Sequence, residues 1–154
     1  MTAALLFVDA SVLLYAVDDR DTAQRDRARA WLTACWQRRC GRLSTQVLSE
    51  FYSHARAQFP SMLSAGDARA EVRRYQHWKP WAIDHATVES AWAFESRWQL
   101  AYSDAVILAS AQQQGCTWLL SDQFTHGQAM DGITIVSPFL AEPSLLDADR
   151  KSVV

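Results

Sequence analysis

The chain has 154 residues, 49% of them hydrophobic and 21% charged, with a formal net charge of −2. That size and balance predict one globular domain rather than two, able to build its own core without disulfides or a structural metal. Apolar runs such as residues 4–8 and 105–109 fall far short of the ~20 residues that cross a bilayer.

The first residues carry no basic segment before their short apolar run, so no secretory signal is expected and the expected location is cytoplasmic, without membrane attachment. Cys35, Cys40 and Cys116 form an odd set without metal-ligand spacing and read as reduced packing residues. Charge is segregated: between Arg20 and Lys79 there are 12 Lys or Arg against 5 Asp or Glu, a net of +7, while the remainder is −9. Thirteen of the 15 cations are arginine, whose planar fork suits phosphate. The alternative for these arginines is a set of solvated helix faces.

Leu5, Leu6, Phe7 and Val8 form a short apolar run ending in Asp9, the pattern of a strand buried on both faces of a parallel sheet. Ser11 is the expected cap of a helix over residues 12–17, and the acids around Arg20 read as a turn. Residues 22–39 predict a long amphipathic helix with Ala28, Trp31, Leu32, Cys35 and Trp36 on its apolar stripe, ended by Gly41. A short strand is expected at residues 42–44, then a helix capped by Ser44 or Thr45 and stopped before Pro60. On that helix Gln46, Glu50 and His54 follow one another at i+4 along the edge of the apolar face.

Ser64 opens a further helix to about Tyr75, and residues 80–83 are a candidate strand. Asp84 caps the next helix, with Trp92 and Trp98 among its apolar members, and Ser103 caps one over residues 104–114 that is apolar on most sides. Residues 117–120 and 133–136 are two more buried strands. The domain is expected over residues 1–140, and residues 141–154 read as a loose tail. Strands alternating with helices predict βαβ units and a mainly parallel sheet, whose site lies beyond the carboxyl ends of the strands.

That rule selects four acids. Asp9 ends the first strand, Asp122 follows the strand at 117–120, Asp104 lies in the first turn of an apolar helix, and Glu50 sits beside a core stripe. Two carboxylates about 5 Å apart repel by roughly 3 kcal/mol at an effective dielectric of about 20, so four together call for a cation. Mg²⁺ or Mn²⁺, bound by oxygens and retaining waters, would relieve that conflict. Taken singly, each acid also has a structural role open to it: a cap for Asp9, a helix-dipole partner for Asp104, a turn former for Asp122, an exposed helix residue for Glu50. The tryptophans fall mainly on expected core faces, and His126 reads as a turn or packing residue.

The motifs Phe7-Val8-Asp9-Ala10-Ser11, Leu43-Ser44-Thr45-Gln46-Val47-Leu48-Ser49-Glu50, Ser103-Asp104-Ala105-Val106 and Leu119-Leu120-Ser121-Asp122, together with His126-Gly127 and Pro138-Phe139, resemble the successive motifs of PIN-domain ribonucleases, and among them the VapC toxins of toxin–antitoxin pairs. The resemblance runs in order from Leu5 to Phe139. It implies a PIN-like α/β/α sandwich on a central, mainly parallel sheet. It also implies Mg²⁺ or Mn²⁺ held by Asp9, Glu50, Asp104 and Asp122, supporting hydroxyls at Ser11 and Ser121, an RNA substrate, a VapB-like antitoxin and a homodimer.

Two positions depart from the family pattern: Asp9-Ala10-Ser11 stands where Asp-Thr-Asn is common, and Ser121-Asp122-Gln123 where Ser-Glu-Asp is common, so Asp122 or Gln123 occupies the fourth acid position. The function expected is a metal-dependent endoribonuclease acting as a toxin. The alternatives are a catalytically weak PIN domain acting mainly by binding, and an aspartate-dependent phosphatase. The second Asp two residues after Asp9 that such a phosphatase needs is replaced by Ser11.

Overall fold

The computed structural model describes residues 4–147. Its centre is a five-stranded sheet in the order β2-β1-β3-β5-β4, built from β1 (Leu6–Val8), β2 (Gly41–Arg42), β3 (Trp118–Leu120), β4 (Ala129–Met130) and β5 (Ile133–Val136). β1 pairs in parallel with β2 and β3, and β3 in parallel with β5; only β4 is antiparallel. Helices α1 (Ala10–Val17), α2 (Thr22–Arg38), α3 (Thr45–Gln58), α4 (Ala65–Arg74), α5 (His85–Trp98) and α6 (Tyr102–Gln113) flank it. The fold is therefore the α/β class expected. Leu6, Phe7, Val8, Leu119, Leu120 and Ile135 are fully buried, which is why these strands read as unbroken apolar runs rather than alternating ones. Residues 105–111 of α6 are likewise buried. All three cysteines are free and buried.

Several boundaries differ from the sequence expectation, each for a local reason. Asp9, not Ser11, caps α1, because β1 passes into the helix without a loop and the Asp9 carboxylate accepts from the Ala10 N–H at 2.7 Å. α2 ends at Arg39 in the left-handed region (φ 53°), two residues before Gly41. Glycine is required at 41 for a different reason: a Cβ there would lie 2.5 Å from the Trp78 ring. α6 starts at Tyr102 after Ala101, which makes no side-chain cap, so Ser103 lies inside the first turn. Residues 80–83 form no strand and contribute a single bridge, Trp81 to Ser44. β4 has two residues, too few for any period to show in sequence. Trp92 is 49% exposed and is not a core residue.

The tail expected from residue 141 lies partly outside the described residues, which end at 147. Up to that point it is held against α2. Trp31 Nε1 donates to the Ala141 carbonyl at 3.1 Å and to that of Pro138 at 3.2 Å. Arg27 Nη2 donates to the Ala141 carbonyl, Arg27 pairs with Glu142 and Arg38 with Asp147. Leu146 is buried in the core. This segment therefore covers the part of α2 around Trp31. Among the described residues, no helix is long and apolar enough to cross a membrane.

Candidate active site

Asp9 leaves the end of β1 with its backbone N–H donating to the Leu120 carbonyl at 3.1 Å, so the first strand is locked to β3 at the point where the site begins. Its side chain is nearly enclosed, 6% exposed. Oδ1 accepts from the Ala10 N–H; Oδ2 accepts from Ser121 Oγ at 2.6 Å and Ser11 Oγ at 3.2 Å. Burial pushes the Asp9 carboxyl above the usual range, the three hydrogen bonds oppose that, and repulsion from Asp104 adds to it. The two serines thus fix a carboxylate whose charge the surroundings disfavour.

Glu50 reaches the same place from the second turn of α3. Gln46, one turn earlier, donates from Nε2 both to Glu50 Oε1 (3.2 Å) and to the Ser103 carbonyl (3.0 Å). That amide ties α3 to the start of α6 and so sets Glu50 relative to Asp104. Burial raises the Glu50 carboxyl; repulsion from Asp9 and Asp104 adds to the rise, while the Gln46 bond and His54 oppose it. Asp104, in the first turn of α6, is raised by burial. Asp9, Glu50 and Asp104 line one cleft of about 710 Å³ together with Ser11, Ser103, Tyr15 and Gln123.

Asp122 is not in that lining. Ser121, the residue after β3, turns its hydroxyl inward to Asp9. The Asp122 carboxylate accepts from Tyr15 Oη at 2.6 Å and from Gln123 Nε2 at 2.9 Å. The bond to Asp122 pushes the Tyr15 phenol up to about 12. Of the four acids singled out in the sequence, Asp9, Glu50 and Asp104 line the cleft, and Asp122 is held behind its wall by Tyr15 and Gln123, which do line it. His126 Nδ1 accepts from the Ser137 N–H at 3.0 Å, a packing role.

Two cleft features escape sequence reasoning. Gln46 was visible as an i+4 partner of Glu50, but its link to α6 needs the tertiary fold. Arg20 stands at the rim, paired with Asp18 at 2.8 Å and lying over the Phe59 ring at 5.3 Å. The cluster of charges around it reads in sequence only as a turn.

The three carboxylates facing the cleft are hard oxygen donors of the kind a divalent cation such as Mg²⁺ or Mn²⁺ takes, and His54 also lines the cleft. Among the described residues no three His, Cys, Asp or Glu side chains are close enough to hold an ion by themselves. Mg²⁺ takes one or two protein carboxylates and keeps its waters. The residues that would hold it are Asp9 and Asp104, with Glu50 beside them.

Residues 6–123 match the family model of the PIN domain, and the chain belongs to that family. Among solved structures, it is similar to VapC20 of Mycobacterium tuberculosis, a sarcin–ricin-loop-cleaving toxin, at TM-score 0.56 and 17% identity, over 74% of this chain and 86% of that one. It is also similar to VapBC2 of Rickettsia felis, solved bound to a DNA fragment from their promoter, at TM-score 0.59 and 8% identity, over 86% of this chain and 98% of that one. No curated protein sequence matches it significantly.

Proposed function

We propose that this chain is a divalent-metal-dependent endoribonuclease and the toxin of a toxin–antitoxin pair. The observation that carries this reading is the convergence of Asp9, Glu50 and Asp104, from three different elements, on one cleft where each carboxyl is raised above its usual range. A fold keeps such mutually repelling groups at a cost in stability, and perturbed acids in a cleft are a mark of a functional site. The similarity to VapC20 supports RNA as substrate and the toxin class; that to VapBC2 supports a VapB-like antitoxin as partner. A homodimer belongs to the same reading.

The chemistry a Mg²⁺ or Mn²⁺ ion supplies when bound is charge neutralisation, activation of water and polarisation of the scissile phosphate. Asp9 does not reorient to serve it, because Ser11, Ser121 and the Ala10 N–H hold both of its oxygens. Glu50, with the raised proton affinity its burial imposes, takes the proton from the attacking water. Gln46 keeps that carboxylate aimed at the cleft. Ser103 and Gln123 offer hydrogen bonds at the cleft wall to the phosphate oxygens.

The purified protein is expected to cleave RNA with Mg²⁺ or Mn²⁺ and to stop in EDTA. Asp104→Asn and Asp9→Asn should abolish cleavage while circular dichroism stays native. Wild-type rates from the Asp104→Asn protein would overturn the assignment. Light scattering alone and after mixing with the product of a neighbouring antitoxin gene checks the dimer and the partner.

A further inference from the structure

In the folded chain the basic stretch does not present its arginines evenly. Arg20, Arg25, Arg27, Arg38 and Arg74 are each neutralised by a carboxylate: Asp18, Asp19 with Asp26, Glu142, Asp147 and Glu71 respectively. Seven cations of the stretch have no ion pair among the described residues: Arg29, Arg56, Arg69 and Arg73, which are dispersed over other faces, and Arg39, Arg42 and Lys79. The last three line one groove of about 760 Å³ with His77, and no Asp or Glu contributes to its walls.

The groove lies at the opposite end of α6 from the acidic cleft. Gln114, the residue that caps the C-terminus of α6, borders the groove, and Asp104 borders the cleft. At 1.5 Å per residue that is about 15 Å along the helix.

Two features argue that the cations serve a ligand. Arg39 ends α2 and Lys79 ends a single 3-10 turn at Tyr75–Trp78, both in the left-handed region, at φ 53° and 52°. Glycine or asparagine adopts that conformation more cheaply. They are two of the four non-glycine residues with positive φ among those described. A cation near a helix C-terminus gains about 0.3–1 kcal/mol from the helix dipole, but that explains neither Arg42, which lies on β2, nor the gathering of all three on one groove.

The groove's aromatic rings indicate what kind of ligand. Trp78 is 8% exposed, packed over Gly41 and against Trp36 at 5.2 Å between ring centroids. It offers no free face for base stacking and no exposed anchor of the kind protein partners seize. What remains is a set of charges that would hold a phosphate backbone without reading bases. The acidic cleft itself repels polyanions, so affinity for RNA must come from elsewhere on the surface.

We propose that this groove is a second RNA-binding surface, a backbone-phosphate site that holds a folded RNA at a distance from the scissile bond. It rests on the reading of the chain as an RNA-cleaving enzyme and extends it: the substrate class is an RNA with structure on one side of the cleavage site, large enough to reach both ends of α6.

The test compares R39Q/R42Q/K79Q with the charge-preserving R39K/R42K. Binding to a labelled synthetic RNA stem–loop is measured with Ca²⁺ across a salt series, and cleavage of the same stem–loop and of a tetranucleotide is measured with Mg²⁺. The triple variant should lose about ten-fold or more in stem–loop affinity, with a salt dependence flatter by about two to three units of slope, while R39K/R42K keeps both. Tetranucleotide cleavage should be unchanged in both variants.

An unchanged salt slope in the triple variant would overturn the proposal and leave the groove a solvated surface or a protein-docking one. Equal losses on the tetranucleotide would also overturn it, since the substitutions would then act through the cleft or the fold. Binding is read independently of cleavage, so a wild-type protein that binds the stem–loop through these residues yet cuts nothing would refute the enzymatic reading and leave the groove standing.

Discussion

Asp104 carries the electrostatic conflict of the cleft in its simplest form, because burial alone raises its carboxyl above the ordinary value of 3.8. The folded state then binds the proton more tightly than the unfolded chain. Its contribution to stability is full below 3.8 and is lost as pH rises through the folded pKa. In EDTA at neutral pH, Asp104→Asn should therefore melt no lower than wild type, and the wild-type protein should close any gap as the solution is acidified towards that value. Mg²⁺ should raise the melting temperature of wild type more than that of the variant. A clear loss of metal-free stability in Asp104→Asn would make this residue a helix-dipole partner instead. Asp122 offers a contrast at the same scale, since it is engaged by Tyr15 and Gln123. Asp122→Asn should lower the cleavage rate by about ten-fold at most, against the 10²–10⁴ typical of losing an acid–base group, which Glu50→Gln should show. Rates measured side by side on one RNA decide it.

At the scale of elements, the junction from α2 into β2 is closely packed. Gly41 lies under the Trp78 ring, and a Cβ would approach it to 2.5 Å and Cys35 Cβ to 2.9 Å. Gly41→Ala should cost roughly 1–3 kcal/mol through overpacking. Ser44, three residues further on, is fully buried and caps α3 by accepting from the Val47 N–H at 3.3 Å; Ser44→Ala should cost about 1 kcal/mol. Urea unfolding should show lowered midpoints with unchanged slope in both variants. A Gly41→Ala protein as stable as wild type would mean that Trp78 moves freely, and the groove it floors would not be rigid.

At the scale of the whole molecule, residues 141–147 close over α2. Leu146 is 7% exposed, and burying a leucine is worth about 1.5–3 kcal/mol. A chain ending at residue 140 should melt roughly 5–10 °C below one ending at residue 147. Thermal melts of the two truncated proteins test this. Coincident melts would show that the segment docks without stabilising the core.

The alternation of apolar runs with amphipathic helices determined the α/β class, because strands buried on both faces leave short unbroken apolar runs while core-facing helices leave a stripe of period 3.6. The positions of Asp9, Glu50 and Asp104 at strand end, helix edge and helix start were legible for the same reason. Sequence also determined that arginine dominates the basic half. Which of those arginines remain free was decided only in three dimensions, since pairs such as Arg38–Asp147 join residues far apart in the chain. The same holds for the fourth acid. Asp122 is held by Tyr15 of α1 while Gln123 lines the cleft, and Ser121 turns to Asp9 because β1 and β3 are neighbours in the sheet. Strand neighbours contact across more than a hundred residues of sequence, a separation over which no local pattern carries information.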